Sequence, residues 1–246
     1  MTNIIAEIGL NHLGCPKRLV KMVKFISSCK VDAITVQIQD NQYYDSSKVF
    51  RKKIDFKVYK KISKYLKLKK IKFGLAVVDH RTIDEFSSIN VDLWKILSMQ
   101  FFNNRLINNA LKTKKEVFLS SGVVSMKDIK NTSKKFKLLN LIHTTFSSKI
   151  EEANLLAIVK MKNEIKNKVS FGLHSNSDDV ITSAIALRPD SVFFYVKYDD
   201  KNKYPDHNHA INLNTLKMKV KNWKKMITSL GDGLKKRESL PKWVFE

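Results

Sequence analysis

The stretch from Ile4 to Gly14, IIAEIGLNHLG, brings a carboxylate, a carboxamide and an imidazole (Glu7, Asn11 and His12) to the end of an apolar run. A carboxylate inside such a run is either an acid or base in a site or one half of a structural ion pair, and both readings stand for Glu7. Its natural partner is Lys95, which together with Ser98 interrupts the run LWKILS. A lysine placed there either faces an anion or snorkels to a rim. Ser120, Ser121 and Gly122 close the run EVFLSSG, and their hydroxyl and backbone N–H groups suit a phosphate. Gln37 and Gln39 end a further run, and Thr144 and Thr145 another. The histidines obey the same rule: His12, His80, His143, His174, His207 and His209 lie at or beyond the ends of apolar runs, and none falls in a predicted helix.

These polar groups need a scaffold that gathers them. Short apolar runs rich in β-branched and aromatic residues predict strands at Asn3–Leu10, Ala33–Ile38, Lys72–Val77, Leu93–Ser98, Glu116–Ser121, Leu139–Thr145, Val169–Ser175 and Val192–Tyr198. Helical patterns lie between them. PKRLVKMVKFISS carries Pro16 in its first turn and repeats Leu19, Met22, Val23 and Ile26 on one side. Ser125 is a candidate cap for SMKDIKNTSKKF. IEEANLLAIVKMKNEI and SDDVITSAIAL are read as placing acids in their first turns, and NLNTLKMKVKNWKKMITSL closes the series. Eight strands, each followed by a helix, predict an α/β fold of the (β/α)8 TIM-barrel type in a single domain over residues 1–230. The glycine-rich turn of a doubly wound dinucleotide fold is absent. Residues 231–246 read as a C-terminal tail of linker character. Barrels carry their sites at the C-terminal ends of the strands, which is where the polar residues fall.

The formal charge of +23 is almost all lysine, dispersed along the helices, with arginine only at Arg18, Arg51, Arg81, Arg105, Arg188 and Arg237. Readers of phosphate or base edges favour arginine and concentrate charge on one face, so nucleic acid is not the expected partner. The field still draws anionic substrates. No apolar run approaches the roughly 18 residues that cross a bilayer, and nothing resembles a secretory signal. Two cysteines, Cys15 and Cys29, lack metal-ligand spacing, and a reduced, cytoplasmic chain is the expectation.

Taken in order, IAEIGLNHLG, DAITVQ, LWKILS, EVFLSSG, LIHTT and YPDHNHAIN resemble the successive strand ends of the sialic acid synthase (N-acetylneuraminate synthase) family. The resemblance runs over nearly the whole chain. It implies condensation of phosphoenolpyruvate with an N-acetylated amino sugar in nonulosonic (sialic) acid biosynthesis, a divalent metal (Mn or Mg) that polarises the sugar aldehyde, and a possible homodimer. It places Glu7, Asn11 and His12 at the reacting centre as catalytic residues, Lys95, Ser98 and Ser121 on phosphoenolpyruvate, and Asp206 on the sugar hydroxyls. Gln37, Ser120, Gly122, His143, Thr145, His174 and His207 complete the substrate-binding set that it implies.

The sequence departs from the family pattern at several positions. The metal histidines map onto Asn176 and Val196, the phosphate-binding serine onto His174, and the lysine of strand two onto Thr35. The segment between strands two and three is short, and the family's small C-terminal antifreeze-like domain has no counterpart in these 246 residues. A shifted metal pair, His174 with His207 or His209, is one alternative. Another is a barrel that no longer condenses and instead binds a sugar or phosphate or regulates a partner.

Overall fold

The computed structural model describes residues 1–45 and 52–235. Eight parallel strands, β1 (Asn3–Gly9), β2 (Ala33–Ile38), β3 (Lys72–Val77), β4 (Leu93–Ile96), β5 (Glu116–Ser120), β6 (Leu139–His143), β7 (Lys168–Gly172) and β8 (Ser191–Lys197), pair in chain order. The pairing of β1 with β8 closes the cylinder. Each predicted strand is present, most of them shorter at the C-terminal end. Ser98, for instance, leaves β4 and opens a 3-10 turn that runs to Gln100. A two-residue strand that the sequence did not announce, β9 (Ile211–Asn212), pairs with Val196 and Lys197.

Helices cover the outside: α1 (Pro16–Ser27), α2 (Asn41–Tyr44), α3 (Phe56–Leu68), α4 (His80–Phe86), α5 (Asn104–Lys112), α6 (Met126–Lys135), α7 (Leu156–Glu164), α8 (Asp179–Ala186) and α9 (Leu213–Ser229). Leu19, Met22, Val23 and Ile26 of α1 are buried, as their spacing predicts. Ser125 caps α6 in a reciprocal box with Asp128. Two expectations fail. His80 is the first residue of α4, and α7 starts at Leu156, leaving Glu151 and Glu152 in the preceding turn and no acid in its first turn.

Alternate residues along a strand point to opposite faces, which divides the core in two. Outward-facing side chains pack on the helices; Phe194, for example, meets Trp223 of α9 at 5.1 Å between ring centres. Inward-facing Ile5, Ala33, Leu93, Phe118, Ile142 and Phe193 form a separate cluster that fills the cylinder. Phe118 and Phe193 lie edge to face there, 5.0 Å apart. The N-terminal end is pinned by a repeated device. The carboxylates of Asp32, Asp92 and Asp190, each just before a strand, accept the backbone N–H groups of Ile4, Phe73 and Val169 at 2.7–2.9 Å on the neighbouring strand. With that end stitched and the middle filled with apolar side chains, the polar inward residues are left at the C-terminal mouth.

Candidate active site

The mouth holds a cavity of about 500 Å³. At its floor Lys95 Nζ donates to Glu7 Oε2 at 2.5 Å, with the two side chains only 5% and 2% exposed. Lys95 reaches across the cylinder because at that level β3 presents only Gly74 and Ala76 inward between β2 and β4. A Cβ on Gly74 would lie 2.3 Å from Leu93 Cδ1. Thr35 Oγ1, paired in register with Glu7, donates to Oε1 at 3.2 Å. The rings of Phe193 and Tyr195 flank the ammonium at 5.2 and 5.5 Å. Glu7 is thus the buried structural partner of a lysine that lines the cavity.

One wall is aromatic. The His174 ring stacks between Phe146 (5.5 Å, 13°) and Tyr195 (5.8 Å, 22°), and His209 stands edge-on to His174 and Tyr195, 5.0 Å from each. Thr144 Oγ1 donates to the Gly172 carbonyl at 2.9 Å, so its lone pair and the Thr145 carbonyl both face His174 Nδ1, at 3.0 and 2.6 Å. Nδ1 therefore carries the proton and Nε2 is bare. Burial, with the charge of Lys95, holds the His174 pKa below the usual imidazole range. The same causes, with His174, push His209 down to about 3, so both rings are neutral at physiological pH.

Asp206 faces this wall. Its backbone N–H donates to Asn11 Oδ1 at 3.2 Å, while Asn11 Nδ2 donates to the Val196 carbonyl at 2.9 Å. Asn11 therefore clips the segment after β8 onto the end of β1. Gly9 makes the approach possible: its φ is +56°, and a Cβ there would meet Tyr195 at 2.7 Å and Asp206 Oδ2 at 2.8 Å. Burial and the nearby Glu7 carboxylate raise the Asp206 carboxyl to about 7, against the opposing pull of Lys95. His209 Nε2, buried without a hydrogen-bond partner, lies 3.7 Å from Asp206 Oδ1.

The cavity draws in Gln37, Lys95, Ser98, Ser120, His174 and Asp206 from the set expected at the mouth, and His207 as well. Gly122 supports it from behind, its N–H donating to Ser98 Oγ at 3.0 Å. Thr145 takes part through its carbonyl. The remaining expected residues are placed elsewhere. Asn11 is spent as the clip. His12 is buried behind the mouth, where Nδ1 accepts the Gly14 N–H at 3.0 Å and burial pushes its pKa down to about 4. Ser121 Oγ turns away to the Ile142 carbonyl at 2.8 Å. His143 sits on the outward parity of β6, bonded to the Ala153 carbonyl at 3.0 Å. His80 lies beside Asp79 on α4. Three of the six histidines line the cavity, so the gathering of imidazoles at the mouth is partial.

The sequence profile of the NeuB family matches residues 19–235. The chain belongs to the NeuB family. Similar relatives are N,N'-diacetyllegionaminic acid synthase of Campylobacter jejuni (25% identical, 96% of this chain and 79% of the relative) and pseudaminic acid synthase of Helicobacter pylori (24%, 93% and 75%). Among solved structures, an N-acetylneuraminic acid synthetase from Leptospira borgpetersenii in complex with citrate has the same fold: TM-score 0.87, 22% identity, 97% of this chain and 88% of that one. A truncated 3-deoxy-D-arabino-heptulosonate 7-phosphate synthase from Thermotoga maritima follows at TM-score 0.74 and 14% identity, covering 94% and 88%. This NeuB chain is therefore a barrel of the nonulosonic acid synthase type. Among the described residues no helix is long and apolar enough to cross a membrane.

The two positions mapped for the metal do not suit one. The Val196 side chain points out among the helices, fully buried, and Asn176 is exposed with its N–H on the Ser148 carbonyl at 2.8 Å. Strand parity places Tyr195 and Lys197, not Val196, on the inner face of β8. Counting inward from Phe193 in the sequence would have found both. Phe146 and Tyr204, which also line the cavity, lie in loops and carried no signal beyond being aromatic.

Proposed function

We infer that this NeuB protein condenses phosphoenolpyruvate with the open-chain aldehyde of an N-acetylated amino sugar to give a nonulosonic acid. One observation carries the reading: a single cavity holds an ammonium and two hydroxyls (Lys95, Ser98 and Ser120) together with a carboxyl near neutrality and a neutral imidazole (Asp206 and His209). The first group suits the carboxylate and phosphate of phosphoenolpyruvate, and the enclosed ammonium strengthens that attraction over its value in water. The second group suits the sugar. Carbon C3 of the enol attacks the aldehyde carbon, and the carbonyl oxygen takes a proton from the Asp206 carboxyl, whose raised pKa leaves a proton available near pH 7. Water adds at C2, the C2–O bond to phosphate breaks, and C2 becomes the 2-oxo carbon of the product; of the two protons of that water one restores the Asp206 carboxyl and the other leaves with inorganic phosphate. His209, whose Nε2 has no hydrogen-bond partner, and the stacked His174 ring are left to contact the sugar beside Asp206.

A second reading, a barrel that binds such ligands without condensing them, draws on Val196 and Asn176, where the resemblance expects imidazoles. The test is release of inorganic phosphate from phosphoenolpyruvate over a panel of N-acetylated hexosamines and diacetamido sugars, with the product mass read alongside. Sugar-dependent release with a product whose mass is that of phosphoenolpyruvate, sugar and one water less phosphoric acid supports condensation. Phosphoenolpyruvate binding with no release across the panel supports the second reading.

A further inference from the structure

A protein site for a divalent cation brings several donor side chains to one point, commonly three or more. Among the described residues no three His, Cys, Asp or Glu side chains are so arranged. In the cavity His209 Nε2 and Asp206 Oδ1 lie 3.7 Å apart. His174 leaves Nε2 bare, but its ring is stacked between Phe146 and Tyr195 and does not complete a set of three donors with His209 and Asp206, and Glu7 is taken by Lys95.

Where β8 ends on its inner face, the sequence supplies a cation of its own. The Lys197 ammonium lies 2.9 Å from Asp200 Oδ1 and donates to the His207 carbonyl at 3.1 Å, with its side chain only 12% exposed. It ties to β8 the segment that carries Asp206 and His209. Within the cavity Lys95 is the one cationic side chain among the described lining residues. Its field acts on His174, His209 and Asp206 alike, the same groups a metal would have to recruit.

We propose that this barrel works without a divalent metal, with two lysine ammoniums in its place: Lys95 meets the anionic ligand, and Lys197 fixes the cavity wall after β8. The choice of phosphoenolpyruvate as ligand rests on the condensation reading; the metal claim does not. Lys197 is a positioning residue, because its ammonium acts through the His207 carbonyl and Asp200.

The full chain is dialysed against EDTA, returned to chelator-free buffer and titrated with Mn²⁺ while the free ion is followed by electron paramagnetic resonance. Phosphoenolpyruvate affinity is then measured by calorimetry with EDTA and with excess Mn²⁺. The expected result is a free-ion signal equal to that of buffer and affinities that agree within about twofold, less than 0.5 kcal/mol. Lys95→Met lowers affinity at least about tenfold in both buffers. Lys197→Met does so too, and Lys197→Arg restores it. Uptake of one Mn²⁺ per chain, or affinity raised about tenfold by Mn²⁺, overturns the inference while leaving condensation standing. A Lys197→Met protein that binds as tightly as the parent overturns the part given to Lys197. Phosphoenolpyruvate that binds in neither buffer overturns the condensation reading and the part given to Lys95, and the Mn²⁺ titration then decides the metal claim alone.

Discussion

The Lys95–Glu7 pair makes a strong quantitative demand. Both side chains are at most 5% exposed, so solvent screening gives little relief if one charge loses its partner. Breaking such a pair costs about 3–5 kcal/mol, because the surviving charge is left buried, while replacing both members with apolar residues of similar size is often near neutral. Lys95→Met leaves the Glu7 carboxylate with only the Thr35 hydroxyl, and Glu7→Leu leaves an ammonium with two aromatic faces. Each single substitution is therefore expected to cost about 3–5 kcal/mol and the double substitution about 1–2 kcal/mol, a coupling of several kcal/mol. For 246 residues, an unfolding entropy of about 2.1 cal/mol/K per residue gives roughly 0.5 kcal/mol/K, so each single variant should melt about 6–10 °C lower. Urea denaturation followed by circular dichroism provides the free energies, and thermal melts the check. Single variants that lose under about 1 kcal/mol, or a double variant whose loss is the sum of the two, would show that the pair is not the buried unit described.

Other consequences follow from the same geometry. Gly9→Ala should destabilise by about 1–3 kcal/mol in urea, because it puts a Cβ at positive φ against the Tyr195 ring. Phosphate release should fall as pH rises through about 7, where Asp206 loses its proton; Asp206→Asn should remove that limb and lower the rate about 10²–10⁴-fold. Asp206 holds a proton in the folded state that the unfolded chain releases near its ordinary 3.8, so its burial erodes stability as pH rises from about 4 through 7. His12 works in the opposite sense: lowered to about 4 in the fold, it contributes stability above 6.5 that is lost as pH falls toward 4. Stability curves of Asp206→Asn and His12→Asn against the parent over pH 4–8 separate the two.

The fold was readable because strands buried on both faces leave continuous apolar runs, and eight of them alternating with amphipathic helices have few other solutions. The site was readable only in part. Lys95 and Glu7 stood out because a charge within an apolar run needs a partner, and strand geometry supplies one. His143 was misplaced because being at a strand end says nothing about which face a side chain takes; the parity of β6 turns it outward to the Ala153 carbonyl. The same one-residue parity separates Val196, in the outer core, from Tyr195 and Lys197 on the inner face. Asn11 and His12 lie one turn beyond β1, and there the chain uses them to hold its own loops: Asn11 through a tertiary contact to Val196 that local sequence does not encode, His12 through a local bond to Gly14 two residues on.

A crystal structure of the chain soaked with phosphoenolpyruvate tests the central claim most directly. The account predicts one ligand in the mouth, its anionic oxygens within hydrogen-bond distance of Lys95 Nζ and the Ser98 or Ser120 hydroxyl, and its C3 turned toward Asp206. A ligand bound elsewhere on the barrel, or a mouth whose Lys95 ammonium stays sealed against Glu7 and out of the ligand's reach, would contradict it.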